Sequence, residues 1–280
     1  MSEELRLRIQ SGIVMAAGVL LATWLGGFAF RLLAVAIGLL VFWEWSTMTR
    51  LREADRVGFA LAWASQAILA VAILFGFLSF ASALLLAFTL LAVAYMAMRK
   101  GTGWLPGGVV YAGLSALSLA SIRGSDGTGL KAMLVLFTIV WATDILAYFV
   151  GRAIGGPKLA PRISPGKTWS GAAGGTAAAL VLGLLAVSLA GGSANLHTGA
   201  LIVVLSVFSQ VGDLFESFIK RRFGVKDSSR LIPGHGGVMD RVDGLVFACF
   251  AAFLLSSVAH AFSSCAQCSV GTFLLGLSPL

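Results

Sequence analysis

Apolar runs close to twenty residues long recur from Ile13 almost to the C-terminus, and the polar stretches between them are short. The runs do not alternate: "LVFACFAAFLLSSVAHAF" is apolar at consecutive positions, where a strand of a membrane barrel would change face at every residue. Only helices and closed barrels satisfy their backbone hydrogen bonds in lipid, so the pattern predicts membrane-spanning helices. Nine are expected, near residues 12–30, 32–48, 58–77, 79–98, 104–122, 130–154, 171–191, 199–219 and 243–262. The fifth, "LPGGVVYAGLSALSLASI", is the most dilute, because Pro106, paired glycines and serines interrupt it.

The first run follows "MSEELRLR" and has the charge-then-apolar order of a secretory signal. It lacks a small-residue cleavage site and similar segments follow it, so it is read as a retained span. Composition agrees: 58% of the 280 residues are hydrophobic and 11% charged, which excludes an ordinary soluble domain and leaves an all-α polytopic membrane protein.

Charge then sets an orientation. With nine spans and the N-terminus inside, seventeen of the 20 lysines and arginines fall on the inner side, leaving Arg31, Arg123 and Lys131 outside. Positive charge collects on the cytoplasmic side, so the N-terminus is expected in the cytoplasm and the C-terminus outside a cell inner (plasma) membrane. The same bias accounts for the net charge of +8 without a nucleic-acid partner, since no basic stripe interleaves with aromatics.

Three cysteines, Cys249, Cys265 and Cys268, are too few for a disulfide framework. The "CAQC" pair has neither a second pair nor nearby histidines, so no zinc site is expected there. In "GAAGGTAAALVLG", Gly171, Gly175 and Ala179 recur every four residues, the spacing that lets helix backbones approach closely in lipid.

Beyond the N-terminal third, charge gathers in two loops. The chain therefore divides into residues 1–125, helices for packing and dimerisation, and residues 126–280, a catalytic region with cytoplasmic loops at 152–170 and 220–242. Ahead of the first loop, Asp144, Tyr148 and Arg152 stand at i, i+4 and i+8 and share a helix face. A carboxylate inside a span calls for a cation, a metal or a water-filled cavity. The loop's "SPGKT" lacks the spacing of a Walker A loop, because five positions before Gly166 stands Pro161, and no strand is expected before it. Lys158, Arg162 and Lys167 with Ser164 and Thr168 still make a cationic, hydroxyl-bearing loop that suits phosphate oxygens.

In the second region, Asp213, Glu216, Ser217 and Lys220 form one polar stripe on an apolar helix. Asp240 and Asp243 lie three apart at the mouth of the last span. Carboxylates crowded at helix ends repel one another unless a cation lies among them, and hard oxygen donors suit Mg²⁺. Between them, "IPGHGG" places His235, Gly236 and Gly237 in a flexible turn where backbone and imidazole can approach a ligand. Metal plus phosphate-seeking cations at a membrane boundary point to phosphoryl or nucleotidyl transfer onto a lipid.

The stretch Ser217 to Asp243, "SFIKRRFGVKDSSRLIPGHGGVMDRVD", resembles the signature of the CDP-diacylglycerol synthases, or phosphatidate cytidylyltransferases. The pattern is S-x-x-K-R, four residues, K-D, then P-x-H-G-G-x-x-D-R-x-D. "DILAYFVGR" and "SPGKTWSG" are similar to the upstream part of that family, which commonly has Glu where this chain has Ser170. The resemblance is clear over residues 140–245.

It implies transfer from CTP to phosphatidate, with release of pyrophosphate, by a homodimeric membrane enzyme using Mg²⁺ and room for a second cation. It also implies roles. Asp213 and Asp240 would hold the metal, with Asp144 and Asp243 in support. Lys167, Lys220, Lys226, Arg241 and His235 would contact phosphates, with Ser164 and Thr168 as further contacts. Arg152, Lys158, Ser217, Arg221, Asp227, Gly236 and Gly237 would line the substrate site, and Asp213, Asp240, Asp243, Lys167 and Lys220 would form its catalytic set. One rival is a CTP-dependent kinase or cytidylyltransferase acting on a polyprenol or an archaeal lipid. Another is a transporter coupling a cation to Asp144 and Asp213, disfavoured because the charges gather at one boundary and no inverted repeat is visible.

Overall fold

A computed structural model describes residues 3–262 and 269–277. Cys265 and Cys268 lie outside the described residues. The described chain is helical apart from one hairpin: α1 (Glu3–Leu25), α2 (Gly27–Met48), α3 (Leu51–Ala54), α4 (Arg56–Leu74), α5 (Leu78–Arg99), α6 (Trp104–Arg123), α7 (Gly127–Ile154), β1 (Lys158–Ala160), β2 (Ser164–Thr168), α8 (Trp169–Leu189), α9 (Leu196–Arg222), α10 (Met239–Phe262) and α11 (Val270–Leu274). Eight of these helices are long and apolar enough to cross a membrane, which makes this an all-α multi-pass membrane protein. They correspond to the second to ninth predicted spans. The first predicted span corresponds to α1, whose described apolar part, Ile9–Leu25, is shorter.

Two local features differ from expectation. The break between the first two helices falls at Gly26 and Gly27, not near residue 31, because both glycines take left-handed φ (64° and 49°) that other residues avoid. Arg31 therefore lies inside α2 rather than in a loop. The loop at 152–170, expected to lack strands, contains β1 and β2 paired antiparallel, with Lys158 opposite Thr168 and Ala160 opposite Ser164. This hairpin does not restore a P-loop, since it runs through "SPGKT" itself.

The chain forms two compact units: residues 1–120 with 222–241, and residues 121–221 with 242–280. In the first, α6 is the most enclosed span. Of its apolar window 78% is buried, against 17–44% for the other spans. Its glycines explain this. Gly108 lies under Trp45, whose indole N–H donates to the Trp104 carbonyl at 2.8 Å and whose ring stacks on Tyr111 at 5.5 Å. Trp104 in turn meets Phe223 edge-on at 4.9 Å, seating the returning segment 222–241 in this unit.

The second unit is built on the close packing of α7 and α8. Gly171, Gly175, Ala179, Gly183 and Val187 form one buried stripe on α8, extending the predicted small-residue face. Thr143, Thr176, Ser206 and Gln210 connect α7, α8 and α9 through hydrogen bonds of 2.8–3.2 Å, so the polar atoms between these helices serve one another.

A Cβ at position 175 would stand 2.5 Å from the Thr143 carbonyl oxygen and 2.9 Å from the Ala147 methyl. Gly175→Leu should therefore cost about 1–3 kcal/mol through overpacking. Thermal unfolding in detergent should show a lowered midpoint for Gly175→Leu and an unchanged one for Gly18→Ala, where nothing lies within 4 Å.

Candidate functional site

The second unit carries its charges on the ends of α7, α9 and α10 and on the hairpin. The Lys167 ammonium, on β2, pairs with the Asp213 carboxylate on α9. Asp144 on α7, Asp213, and Asp243 on α10 lie near enough to feel one another's charge, offset by Lys167 and Lys220. Backbone packing sets this spacing. Gly212 lies against the Asp243 carbonyl and Phe247, where any side chain would separate α9 from α10. One turn beyond Asp213, Glu216 is 1% exposed and pairs with Lys220 at 2.7 Å. Ser217 sits 3.5 Å from Asp213 Oδ1, at the limit of hydrogen-bond reach.

The hairpin is held by its own polar groups. Thr168 is the N-cap of α8, accepting from the Gly171 N–H at 3.1 Å, and is buried. Ser170 donates to the Gly155 carbonyl and lies 3.1 Å from Thr168 Oγ1. Where the family commonly has a carboxylate, this chain thus has a hydroxyl that closes the hairpin onto the end of α7. Arg152 donates to the Tyr148 hydroxyl at 3.0 Å, the contact their spacing predicts. Lys158 and Arg221 are exposed and Ser164 is half-buried.

The first unit contains the glycine-rich loop. Gly234 and Gly236 have φ of 75° and 82°, and Ile232 and Gly236 bridge across the turn. His235 Nδ1 lies 2.9 Å from the Ser11 hydroxyl of α1. Asp240, in the first turn of α10, gathers donors on one oxygen: the Ser228 N–H at 2.9 Å, the Ser228 hydroxyl at 2.8 Å and the Gly237 N–H at 2.8 Å. Lys226, Asp227 and Arg241 are exposed around it. Another carboxylate packed against this loop, Glu44 of α2, was not among the expected residues. Its signal was an acidic residue inside the apolar run "LLVFWEWSTM", and ionisable residues inside spans are functional by default.

The expected residues thus fall into two groups. Asp144, Arg152, Lys158, Ser164, Lys167, Thr168, Asp213, Ser217, Lys220, Arg221 and Asp243 belong to the second unit. Lys226, Asp227, His235, Gly236, Gly237, Asp240 and Arg241 belong to the first.

The sequence profile of the cytidylyltransferase family matches residues 6–259. The chain belongs to the cytidylyltransferase family. Curated relatives agree. A phosphatidate cytidylyltransferase of Brucella abortus is 44% identical over 257 residues, covering 91% of this chain and 94% of that protein. One from Bacillus subtilis is 33% identical over 271 residues, covering 90% and 98%. One from Haemophilus influenzae is 46% identical over 142 residues, about half of each chain. Membership in the cytidylyltransferase family thus takes in the N-terminal helices as well as the signature region, and places Glu44 inside the shared length.

Removing one partner of a buried ion pair leaves the other charge uncompensated. Lys220→Ala, which takes the ammonium from beside the buried Glu216 carboxylate, should therefore cost about 3 kcal/mol of stability. The double change Glu216→Gln with Lys220→Met should recover most of that loss. Thermal unfolding of the three proteins in detergent measures both effects, and a Lys220→Ala protein as stable as the parent would show the pair to be unimportant.

Proposed function

We propose that this chain joins CTP and phosphatidate to form CDP-diacylglycerol. A phosphate oxygen of phosphatidate bonds to the α-phosphorus of CTP, the α–β anhydride bond breaks, and pyrophosphate departs with its charge. The observation that carries this reading is the near full-length kinship to proteins named phosphatidate cytidylyltransferase, 44% identical over 91% of the chain. The charged groups suit it. The reaction needs charge neutralised on phosphates, and Lys167 and Lys220 stand beside carboxylates at helix ends of the second unit.

The donor set also fits Mg²⁺. Among the described residues no three His, Cys, Asp or Glu side chains form a ready-made cage. Mg²⁺ is commonly held by one or two carboxylates together with substrate phosphates, and carboxylate oxygens are its preferred ligands. Asp213 would hold it in the second unit, with Asp144 and Asp243 in support; the signature assigns Asp240 the same task. Bound there, the ion would neutralise the phosphates of the nucleotide. Lys167, paired with Asp213, would turn its ammonium to a phosphate oxygen. The resemblance also assigns Lys226, His235 and Arg241, on the glycine-rich loop of the first unit, to phosphate contact.

The positive-inside bias supports both loops and the N-terminus facing the cytoplasm, and in a plasma membrane that face is where a soluble nucleotide would meet a lipid headgroup. The family resemblance implies a homodimer, which crosslinking in native membranes would reveal as a species of doubled mass.

Purified protein given CTP, phosphatidate and Mg²⁺ should release pyrophosphate, and EDTA should stop the release. No pyrophosphate with all three present would end this reading, while release of CDP would identify a lipid kinase. Asp213→Asn and Asp240→Asn should each lower turnover on the order of a hundredfold in a protein that still unfolds cooperatively. Near-normal turnover in either would remove that carboxylate from the metal assignment.

A further inference from the structure

Glu44 is fully buried, four residues from the end of α2. Its two carboxylate oxygens are served symmetrically. Oε1 accepts the Ser229 hydroxyl at 2.7 Å and the Val238 N–H at 2.8 Å. Oε2 accepts the Ser228 hydroxyl at 3.0 Å and the Met239 N–H at 2.7 Å. Three of these donors serve Glu44 alone, while the single proton of the Ser228 hydroxyl is shared between Glu44 and Asp240. Two of them are backbone amides at the start of α10, where N–H groups have no intrahelical partner and the helix dipole favours negative charge.

We propose that Glu44 is a positioning residue for Asp240, holding the loop between Ser228 and Met239 in the conformation that presents Asp240 to substrate. The proposal rests on the cytidylyl-transfer reading, in which Asp240 serves the reaction. Ser228 is the link. Its hydroxyl lies within hydrogen-bond reach of both Glu44 Oε2 and Asp240 Oδ2, at 3.0 and 2.8 Å, and its N–H donates to the same Asp240 oxygen. Gly237 is the spacer. A Cβ there would collide with Ser228 Oγ and Glu44 Oε1, while its own N–H donates to Asp240. The glycine of the signature is therefore required by a carboxylate almost two hundred positions away in the chain.

Only a carboxylate fits. Each oxygen faces a backbone N–H, so a glutamine of the same shape must oppose its amide nitrogen to either Val238 or Met239. Glu44→Gln thus loosens the loop without changing side-chain volume.

The full-length protein, purified in detergent, carries the test with Glu44→Gln, Ser228→Ala, their combination, and Asp240→Asn as reference. In Glu44→Gln, amide hydrogen exchange over residues 228–239 should accelerate. Its kcat should fall about tenfold or more, as for other groups that orient a ligand. The KM for CTP should change less than kcat, and the Mg²⁺ concentration for half-maximal rate should rise. The double variant should be no worse than the more impaired single one, because the two residues act as a unit.

Unchanged exchange, or parental kcat and Mg²⁺ requirement per folded molecule, would overturn the proposal; so would multiplicative effects in the double variant. A carboxylate that only stabilised the fold would lower the unfolding midpoint and leave those quantities alone. If Glu44→Gln cannot be recovered folded, Ser228→Ala decides: a fall in kcat at an unchanged midpoint supports the link, and a parental kcat removes it. An inactive Asp240→Asn beside a fully active Glu44→Gln defeats the role of Glu44 alone. A fully active Asp240→Asn defeats the role of Asp240 in transfer, and Glu44's with it, even where exchange shows the clamp intact.

Discussion

Close to hydrocarbon a carboxylate needs hydrogen bonds or a cation in place of the water it has given up, and this requirement organises the polar parts of the protein. Glu44 meets it with two hydroxyls and two backbone amides. Glu216 and Asp213 meet it with lysines, and Asp240 with donors from Ser228 and Gly237. Each solution fixes a piece of backbone as a by-product. The loop from Ser228 to Met239 takes its course because its amides converge on two acids, and the ion pairs of α9 dictate which face of that helix avoids lipid.

The rest of the fold depends on how closely helices approach. No hydrophobic force drives helices together in lipid, so contact area and polar matching must do it. The α8 stripe brings backbone against backbone, with Gly171 near the Ala147 carbonyl and Gly175 near that of Thr143. At such separation the hydroxyls of Thr143, Thr176 and Ser206 reach one another directly. On α6, glycine makes room for aromatic rings instead, and Trp45 fills it. Small residues thus act in two ways, as contact surface on one helix and as recess on another.

Much of this was legible in the sequence, for physical reasons. Span length and apolarity are one-dimensional quantities, so eight of the nine expected spans match described helices long and apolar enough to cross a membrane, and the four-residue repeat of α8 is a direct property of helical pitch. The signature at 217–243 was legible because its residues lie close together in the chain. What failed to show was whatever depends on distant partners or on enclosure. The fifth span looked weak because its glycines and serines dilute hydropathy, yet the same residues make it the most buried span. Glu44 stood alone in an apolar run, and its donors lie beyond position 227. The hairpin escaped notice because a three-residue and a five-residue strand carry too little pattern to register, and they are fixed by a cap and by Ser170 rather than by alternation.

The two loops are secured differently, and the difference bears on catalysis. The hairpin at 158–168 is closed by backbone pairing and by hydroxyls at its base. The glycine-rich loop has few backbone bonds of its own and is shaped from outside, by Glu44 at both ends and by Ser11 against His235 in its turn. On the neighbouring helices Asp213, Asp240 and Glu44 are held by donors, while several cations, Lys158, Arg162, Lys226 and Arg241 among them, are exposed. Such a division suits substrates that bring their own negative charge. Acids that repel one another must be fixed before substrate arrives, because their repulsion would otherwise disperse them. Lysines and arginines can be drawn in by phosphate as it binds, so their order need not be built in advance.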